Sequence, residues 1–244
     1  MKIIAIIASH KRNAILRDCI TCLKPQVDDI VLAGSSDWTK EADACNLAKR
    51  IAKENDLLYV DHSNKILGQK WQAGLNRARL EKPDAVLICG SDDLLSDNYV
   101  EEYKYVCLST NVMSQLKHVC GVNAWRIYSP IHNNIAYCEY KYSFRRDPLG
   151  AGRCISSEAL DRVDWQIFPT EGGVGCDLYS WEKLGNKIWH PLFGYVLSVK
   201  GSWDMMDSWD QVISSKSLRI DMEDSLNFIL NCFPHVDFDK YRSK

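Results

Sequence analysis

The chain has 244 residues, of which 46% are hydrophobic and 25% charged, with a formal net charge of −2. That length and mixture suit one large globular domain or two small ones. The balanced charge gives no electrostatic footprint for general nucleic-acid binding, so only a local basic face leaves a nucleic-acid acceptor open.

Residues 1–10, MKIIAIIASH, open the chain with an apolar run too short to span a bilayer. The run lacks the longer apolar core and small-residue cleavage pattern of a secretory signal, and it reads as the first core strand. No other run approaches about 18 apolar residues, so no transmembrane anchor is expected. From there strands and helices alternate. Residues 2–8 read as a strand and 13–23 as a helix, followed by a strand over 29–33 and a helix over 40–54. A short strand over 57–60 and a helix over 68–80 lead to a strand over 85–89. This alternation, with connections of about two to six residues, predicts a mostly parallel sheet covered on both faces. Neither a Gly-x-Gly-x-x-Gly after the first strand nor a Gly-x-x-x-x-Gly-Lys-Ser/Thr occurs, which excludes the dinucleotide fingerprint and the P-loop.

Each predicted strand ends in a polar cluster: Ser9, His10, Lys11 and Arg12; Gly34, Ser35, Ser36 and Asp37; Asp61, His62, Ser63 and Asn64; then Gly90, Ser91, Asp92 and Asp93. In a parallel sheet all of these emerge on one edge, the edge where open α/β sheets bind ligands. The last cluster carries the most information, because the run AVLICG ends in two adjacent carboxylates with Leu94 and Leu95 straight after. Two acids against an apolar strand need a compensating positive charge or solvent. A divalent cation would provide it and present a Lewis acid to a phosphate. The plainer alternative is that Asp93 caps a helix beginning near Leu94 while Asp92 makes a turn.

The rhythm then changes. A helix is expected over 98–105, running on to 108, with another near 112–117. A strand-like run over 122–128 precedes an alternating hairpin or edge strand over 135–142. The loop over 145–153 holds two glycines and the three arginines Arg145, Arg146 and Arg153, a composition suited to close approach of phosphate. Glu171 and Asp177 precede a helix over 178–184 that Gly185 should stop.

Ten cysteines are spread through apparent strands and helices rather than spaced as a loop framework, and a reducing, cytoplasmic compartment is expected. Cys19 and Cys22 form the one Cys-x-x-Cys, but Leu16, Cys19, Ile20 and Leu23 also form a helical apolar stripe, which favours packing over metal or redox chemistry. Eight tryptophans are many for this length, and core packing is the expected fate of most. Trp203 and Trp209, in the late segment GSWDMMDSWD, are candidates for a loop or lid over the site.

Over about its first hundred residues the chain resembles the GT-A-fold glycosyltransferases of the family 2 type. The segments VLAGSSDWTKEAD (31–43), NKILGQKWQAGLNRAR (64–79) and AVLICGSDDLL (85–95) carry the resemblance. They are similar to the family's nucleotide-binding turn, its donor-facing glycine and basic residue, and its Asp-x-Asp metal strand. Gly90 stands where the first acid of that motif usually does, leaving Asp92 as the second and Asp93 as the acid that follows. The resemblance implies a Rossmann-like, mostly parallel central sheet with helices on both faces and a smaller acceptor-side subregion. Residues 1–97 would form the donor half and 98–244 the acceptor-binding and catalytic half of one domain.

It further implies a UDP-, GDP- or dTDP-sugar donor and an acceptor glycan or other hydroxyl-bearing molecule. Asp37 would contact the base, with Ser9 and Arg12 nearby. Lys70 would approach the ribose or diphosphate, the alternative being a solvated helix residue. Ser35, Ser91 and Arg153 join this donor set from the strand-end clusters and the arginine loop. Asp92, assisted by Asp93, would bind Mn²⁺ or Mg²⁺. Asp177 matches the position of the family's general base for an inverting displacement, with Glu171 as a competitor and a helix N-cap as its structural role. His190, Lys200 and Asp204 are each candidates for a further metal or phosphate ligand. A sugar nucleotidyltransferase and a non-catalytic nucleotide-sugar binding module remain as rival functions.

Overall fold

The computed structural model describes residues 1–9, 13–35, 42–114, 118–141, 147–171, 175–185, 188–200, 209–216, 218–223 and 226–242. Strands β1 (Ile3–Ala8), β2 (Asp29–Gly34), β3 (Leu58–Asp61) and β4 (Ala85–Gly90) are separated by helices α1 (Asn13–Leu23), α2 (Ala42–Glu54) and α3 (Leu67–Arg79). The four strands pair in parallel, with Ile6 opposite both Val31 and Ile88. β6 (Val119–Gly121), β9 (Arg153–Ser156) and β10 (His190–Pro191) extend the sheet to seven strands in the order β10-β6-β9-β4-β1-β2-β3. β9 runs antiparallel to both of its neighbours, β4 and β6.

These strands are apolar without alternation because helices cover both faces. Successive side chains on one strand feed opposite cores. Ile3, Ala5 and Ile7 pack with Leu16, Cys19 and Ile20 of α1, Ile51 of α2, and Tyr99 and Tyr103 of α4 (Tyr99–Leu108). Ile4 and Ile6 pack instead with Leu75 and Ala78 of α3, Leu160 of α5 (Ser157–Asp161), and Trp181 and Leu184 of α6 (Cys176–Leu184). The Cys19-x-x-Cys22 pair is fully buried in the first of these cores, as the helical stripe predicts.

A second, five-stranded sheet has the order β12-β8-β7-β11-β5, built from β5 (Asp93–Leu95), β7 (Ala124–Ser129), β8 (Asn134–Tyr140), β11 (Val196–Val199) and β12 (Leu218–Glu223). β7 and β8 form the antiparallel hairpin expected from their alternation. The idea that Asp93 caps a helix does not hold. Leu94 and Leu95 are fully buried, and their backbone pairs antiparallel with Leu197 and Val196 of β11. Two leucines that must be buried take a sheet partner from far along the chain, and the chain leaves β4 for a different sheet within three residues. Among the described residues no helix is long and apolar enough to cross a membrane.

Candidate active site

The carboxyl ends of β1 to β4 gather the described members of the polar clusters, as parallel pairing requires: Ala8 lies opposite both Ala33 and Gly90 in the sheet register. Ser9, Ser35, Ser91, Asp92 and Asp93 follow directly and are all buried. Arg12 and Asp37, expected at the nucleotide base, lie outside the described residues, as do Trp203, Asp204, Arg145 and Arg146.

Lys70 is no solvated helix residue. Only 1% of it is exposed, and its ammonium donates to the Ser9 carbonyl at 2.8 Å and to the Asn64 side-chain oxygen. One cation from the first turn of α3 therefore binds together the segments that follow β1 and β3. α3 comes close enough because Gly68 leaves room: a Cβ there would collide with the Pro169 carbonyl. The same helix holds the stretch 165–170. Gln72 donates to the Trp165 carbonyl at 2.7 Å and accepts from the amides of Ile167 and Phe168 at 3.2 Å each, while Gln69 donates to the Thr170 carbonyl at 2.7 Å. Gln72 is 7% exposed, so its amide satisfies three buried backbone groups that would otherwise go unpaired.

That anchored stretch leads to α6 and Asp177. Its helix starts from Gly175 in the left-handed region, at φ 78°, so Gly175 and not Asp177 is the N-cap. Asp177 sits in the first turn, where a carboxylate also benefits from the helix dipole. It is half-buried, its carboxylate lies against Gly150, where any Cβ would collide with it, and among the described residues no donor holds its oxygens. Glu171, the competitor, is exposed.

Arg153 is not in a loop open to phosphate. It opens β9, is 1% exposed, and its guanidinium donates to the Leu149 and Asp177 carbonyls at 3.2 and 3.0 Å and to the Ser180 hydroxyl at 2.6 Å. It also bonds the Pro148 carbonyl and pairs at 3.4 Å with Asp147, whose side chain is 1% exposed. Arg153 therefore fastens the start of α6 to the segment before β9. Because β9 runs antiparallel to β4, with Gly152 N donating to the Ile88 carbonyl at 2.8 Å, that segment emerges on the same edge as Asp92. His190 lies three strands from β4, in β10, with its Nδ1 against the Pro191 carbonyl. Trp209 opens α7 (Trp209–Ile213) and lies with its ring 6.0 Å from that of His132, against the second sheet.

The two acids after β4 are answered from β11. Lys200 Nζ donates to Asp92 Oδ2 at 2.7 Å, and the two side chains are 10% and 5% exposed. The Ser198 hydroxyl donates to Asp93 Oδ1, and Gly90 N donates to Asp93 Oδ2 at 3.1 Å. A hard divalent cation asks for several oxygen ligands. Here the first acid of the motif is glycine, both Asp93 oxygens accept from the chain itself, and Asp92 is paired with an ammonium. Among the described residues no three His, Cys, Asp or Glu side chains stand together to hold a metal. This donor set does not fit a resident Mn²⁺ or Mg²⁺. Lys200, one of the three late candidates from the sequence, ends the apolar strand β11 (Val196–Val199) as the polar clusters end the others. Gln72 gives no such signal.

No protein-family model matches the sequence, and no curated protein does. Solved structures do. Residues 1–349 of Staphylococcus aureus TarS are 13% identical over 82% of this chain and 60% of that one, with a TM-score of 0.54. The same fragment in complex with UDP gives 0.55 at 12% identity, with the same coverage. The mannosyltransferase PcManGT from Pyrobaculum calidifontis, in complex with GDP-Man and Mn²⁺, is 14% identical over 82% of this chain and 56% of that one, at 0.52. A 4-diphosphocytidyl-2C-methyl-D-erythritol synthase from Anaerococcus prevotii is 13% identical over 87% of this chain and 93% of that one, at 0.50. The chain thus has the GT-A fold, and it spans about 60% of the length of the TarS fragment.

Proposed function

We propose that the protein is an inverting glycosyltransferase that moves a sugar from a nucleoside-diphosphate sugar to an acceptor hydroxyl. One observation carries this reading. On the edge where the parallel strands end, the fold sets buried cations beside the β1 and β4 ends and a half-buried carboxylate, Asp177, against the segment that leaves the same edge. In the reaction the anomeric carbon–oxygen bond breaks and its electron pair stays with the diphosphate. The acceptor oxygen bonds the anomeric carbon, and its proton passes to Asp177. Such a base contributes roughly 10²–10⁴-fold. Ser9, Ser35, Ser91 and Lys70 shape the donor edge, and Arg153 positions Asp177 rather than touching phosphate. Arg12 and Asp37, outside the described residues, are proposed for the base on the family resemblance alone.

The UDP-GlcNAc, UDP and GDP-Man of the TarS and PcManGT complexes support a nucleoside-diphosphate donor, whereas the Mn²⁺ that PcManGT also holds is an ion the described donor set here does not fit. Asp92 is the residue to which such an ion would come, and Lys200 already stands there. The acceptor side is 98–244, where Arg126 lies 4.6 Å from the ring centre of Tyr195 and 5.6 Å from that of Tyr137, a surface suited to sugar rings. The described cysteines are spread mostly through the buried strands and helices, and a reducing, cytoplasmic compartment is the proposed setting. The nucleotidyltransferase reading shares the fold, but that reaction has no use for a base placed to deprotonate an acceptor alcohol.

The test is a thermal-shift panel of UDP-, GDP- and dTDP-sugars. A true donor at about 100 times its Kd stabilises the native state by about 2.7 kcal/mol, a shift of several degrees. A panel with no shift at all refutes the reading. Pyrophosphate release from a nucleoside triphosphate and a sugar phosphate would instead favour the nucleotidyltransferase.

A further inference from the structure

We propose that Lys200, rather than a metal ion, is the fixed cation that receives the leaving diphosphate at the end of β4. This rests on the glycosyltransferase reading above and goes beyond it, since it makes turnover independent of Mn²⁺ and Mg²⁺.

The backbone fixes the residue before the side chain is considered. Val199 N donates to the Asp92 carbonyl at 3.0 Å, and Lys200 N donates to the Tyr128 carbonyl at 2.9 Å. The strand pairing that places Ser198 opposite Asp93 thus delivers the next basic side chain to Asp92. The ammonium is then held at 2.7 Å from Asp92 Oδ2 across 108 residues of chain. A cation aimed in advance needs no reorganisation when charge develops, which is the condition under which electrostatic stabilisation is most effective. Ammonium–phosphate hydrogen bonds are also charge-assisted.

Gly90 shows that the segment is built for this arrangement. A Cβ on Gly90 would collide with Asp93 Oδ2, which has turned back to accept from Gly90 N at 3.1 Å. The volume that the first acid of an Asp-x-Asp pair would take is therefore filled by Asp93. What remains is a single carboxylate, Asp92, directed at an ammonium instead of two directed at a divalent ion. The pairing does not disqualify Lys200 as the positive centre. A divalent ion held by two carboxylates is likewise neutral overall, and what matters is a cation fixed within contact of the phosphate oxygens. As the anomeric bond breaks, the electron pair moves onto the β-phosphate oxygen and Lys200 offsets the added charge. No proton leaves Lys200.

Calorimetric titration with UDP, GDP and dTDP, first in EDTA and then in excess Mn²⁺, tests the proposal. The wild-type protein should bind its preferred nucleotide equally in both, within about twofold, and Lys200→Ala should weaken binding in EDTA by roughly 30-fold or more. Lys200→Arg, which keeps the charge without exposing Asp92, should stay within about tenfold of wild type in EDTA. Wild-type binding that requires Mn²⁺ would overturn the Lys200 assignment and leave the donor reading standing, and this arm needs no variant to fold. Absence of binding under both conditions would overturn the donor reading and the Lys200 assignment together.

Discussion

Asp92 and Asp177 are two carboxylates on one edge of one sheet, and their surroundings differ in kind. Asp92 is 4% exposed and locked to Lys200, with neighbouring Asp93 held by Ser198 and Gly90. Asp177 is half-buried, and among the described residues its oxygens accept no hydrogen bond, although its own carbonyl is held by Arg153 and by the Ser180 hydroxyl. A locked carboxylate fixes a partner's position and is a poor proton acceptor. A carboxylate whose backbone is fixed and whose oxygens are not engaged can take a proton without first breaking a bond. On the proposed glycosyltransferase reading, the static part of catalysis would fall to the end of β4 and the proton transfer to the start of α6.

Exchanging the unengaged carboxylate breaks the comparison most sharply. Asp177→Asn keeps shape and helix but removes the base, so release of nucleotide from the preferred nucleotide-sugar should slow by roughly 10²–10⁴-fold. The Kd for the matching nucleoside diphosphate, measured by calorimetry, should not change. A parallel loss of binding would show that Asp177 serves the donor pocket instead.

The anchor behind Asp177 comes next in size. Arg153→Met removes the partner of Asp147, a carboxylate that is 1% exposed, and should destabilise the protein by about 3–5 kcal/mol in urea denaturation. Adding Asp147→Leu should return part of that stability by removing the stranded charge. It should not return the turnover rate, because the Asp177 and Ser180 contacts are still missing. Recovery of rate with stability would make Arg153 a structural residue only.

The two acid sites were not equally visible in the sequence. The parallel strands β1 to β4 follow from local apolar runs and short connections, and the positions of Ser9, Ser35 and Asp92 follow from them, because parallel pairing leaves little freedom over which ends meet. The partners of Asp92 and Asp93 depend on β11, which joins β5 across a separation that no local pattern records. β5 itself was hidden because three residues, Asp93 to Leu95, read equally well as a helix start. Arg153 was misplaced for a related reason. Its glycine-rich approach looks like a surface loop, but Gly152, at φ 75°, is a turn pressed against the Tyr99 hydroxyl, and the chain dives inward immediately afterwards. Asp177 was legible as an acid opening a helix, but its N-cap is Gly175, since a left-handed residue starts the helix there.

The smallest effect arises at the opposite edge of the sheet. His118 immediately precedes β6, where its ring nitrogens lie 3.1 Å from Ser156 Oγ and 2.8 Å from Arg162 Nη2. Burial, and after it the Arg162 charge, lowers its pKa from the ordinary 6.5, with Glu158 opposing. Folded His118 therefore takes up a proton less readily than the unfolded chain does. Below pH 6.5 the unfolded state binds more protons, so stability falls as pH drops through that value and levels off once the folded residue also protonates. The loss should be seen as a Tm that falls between pH 7 and 5, and His118→Gln should flatten it. If turnover loses activity over the same interval in the His118→Gln protein, the loss does not arise from His118.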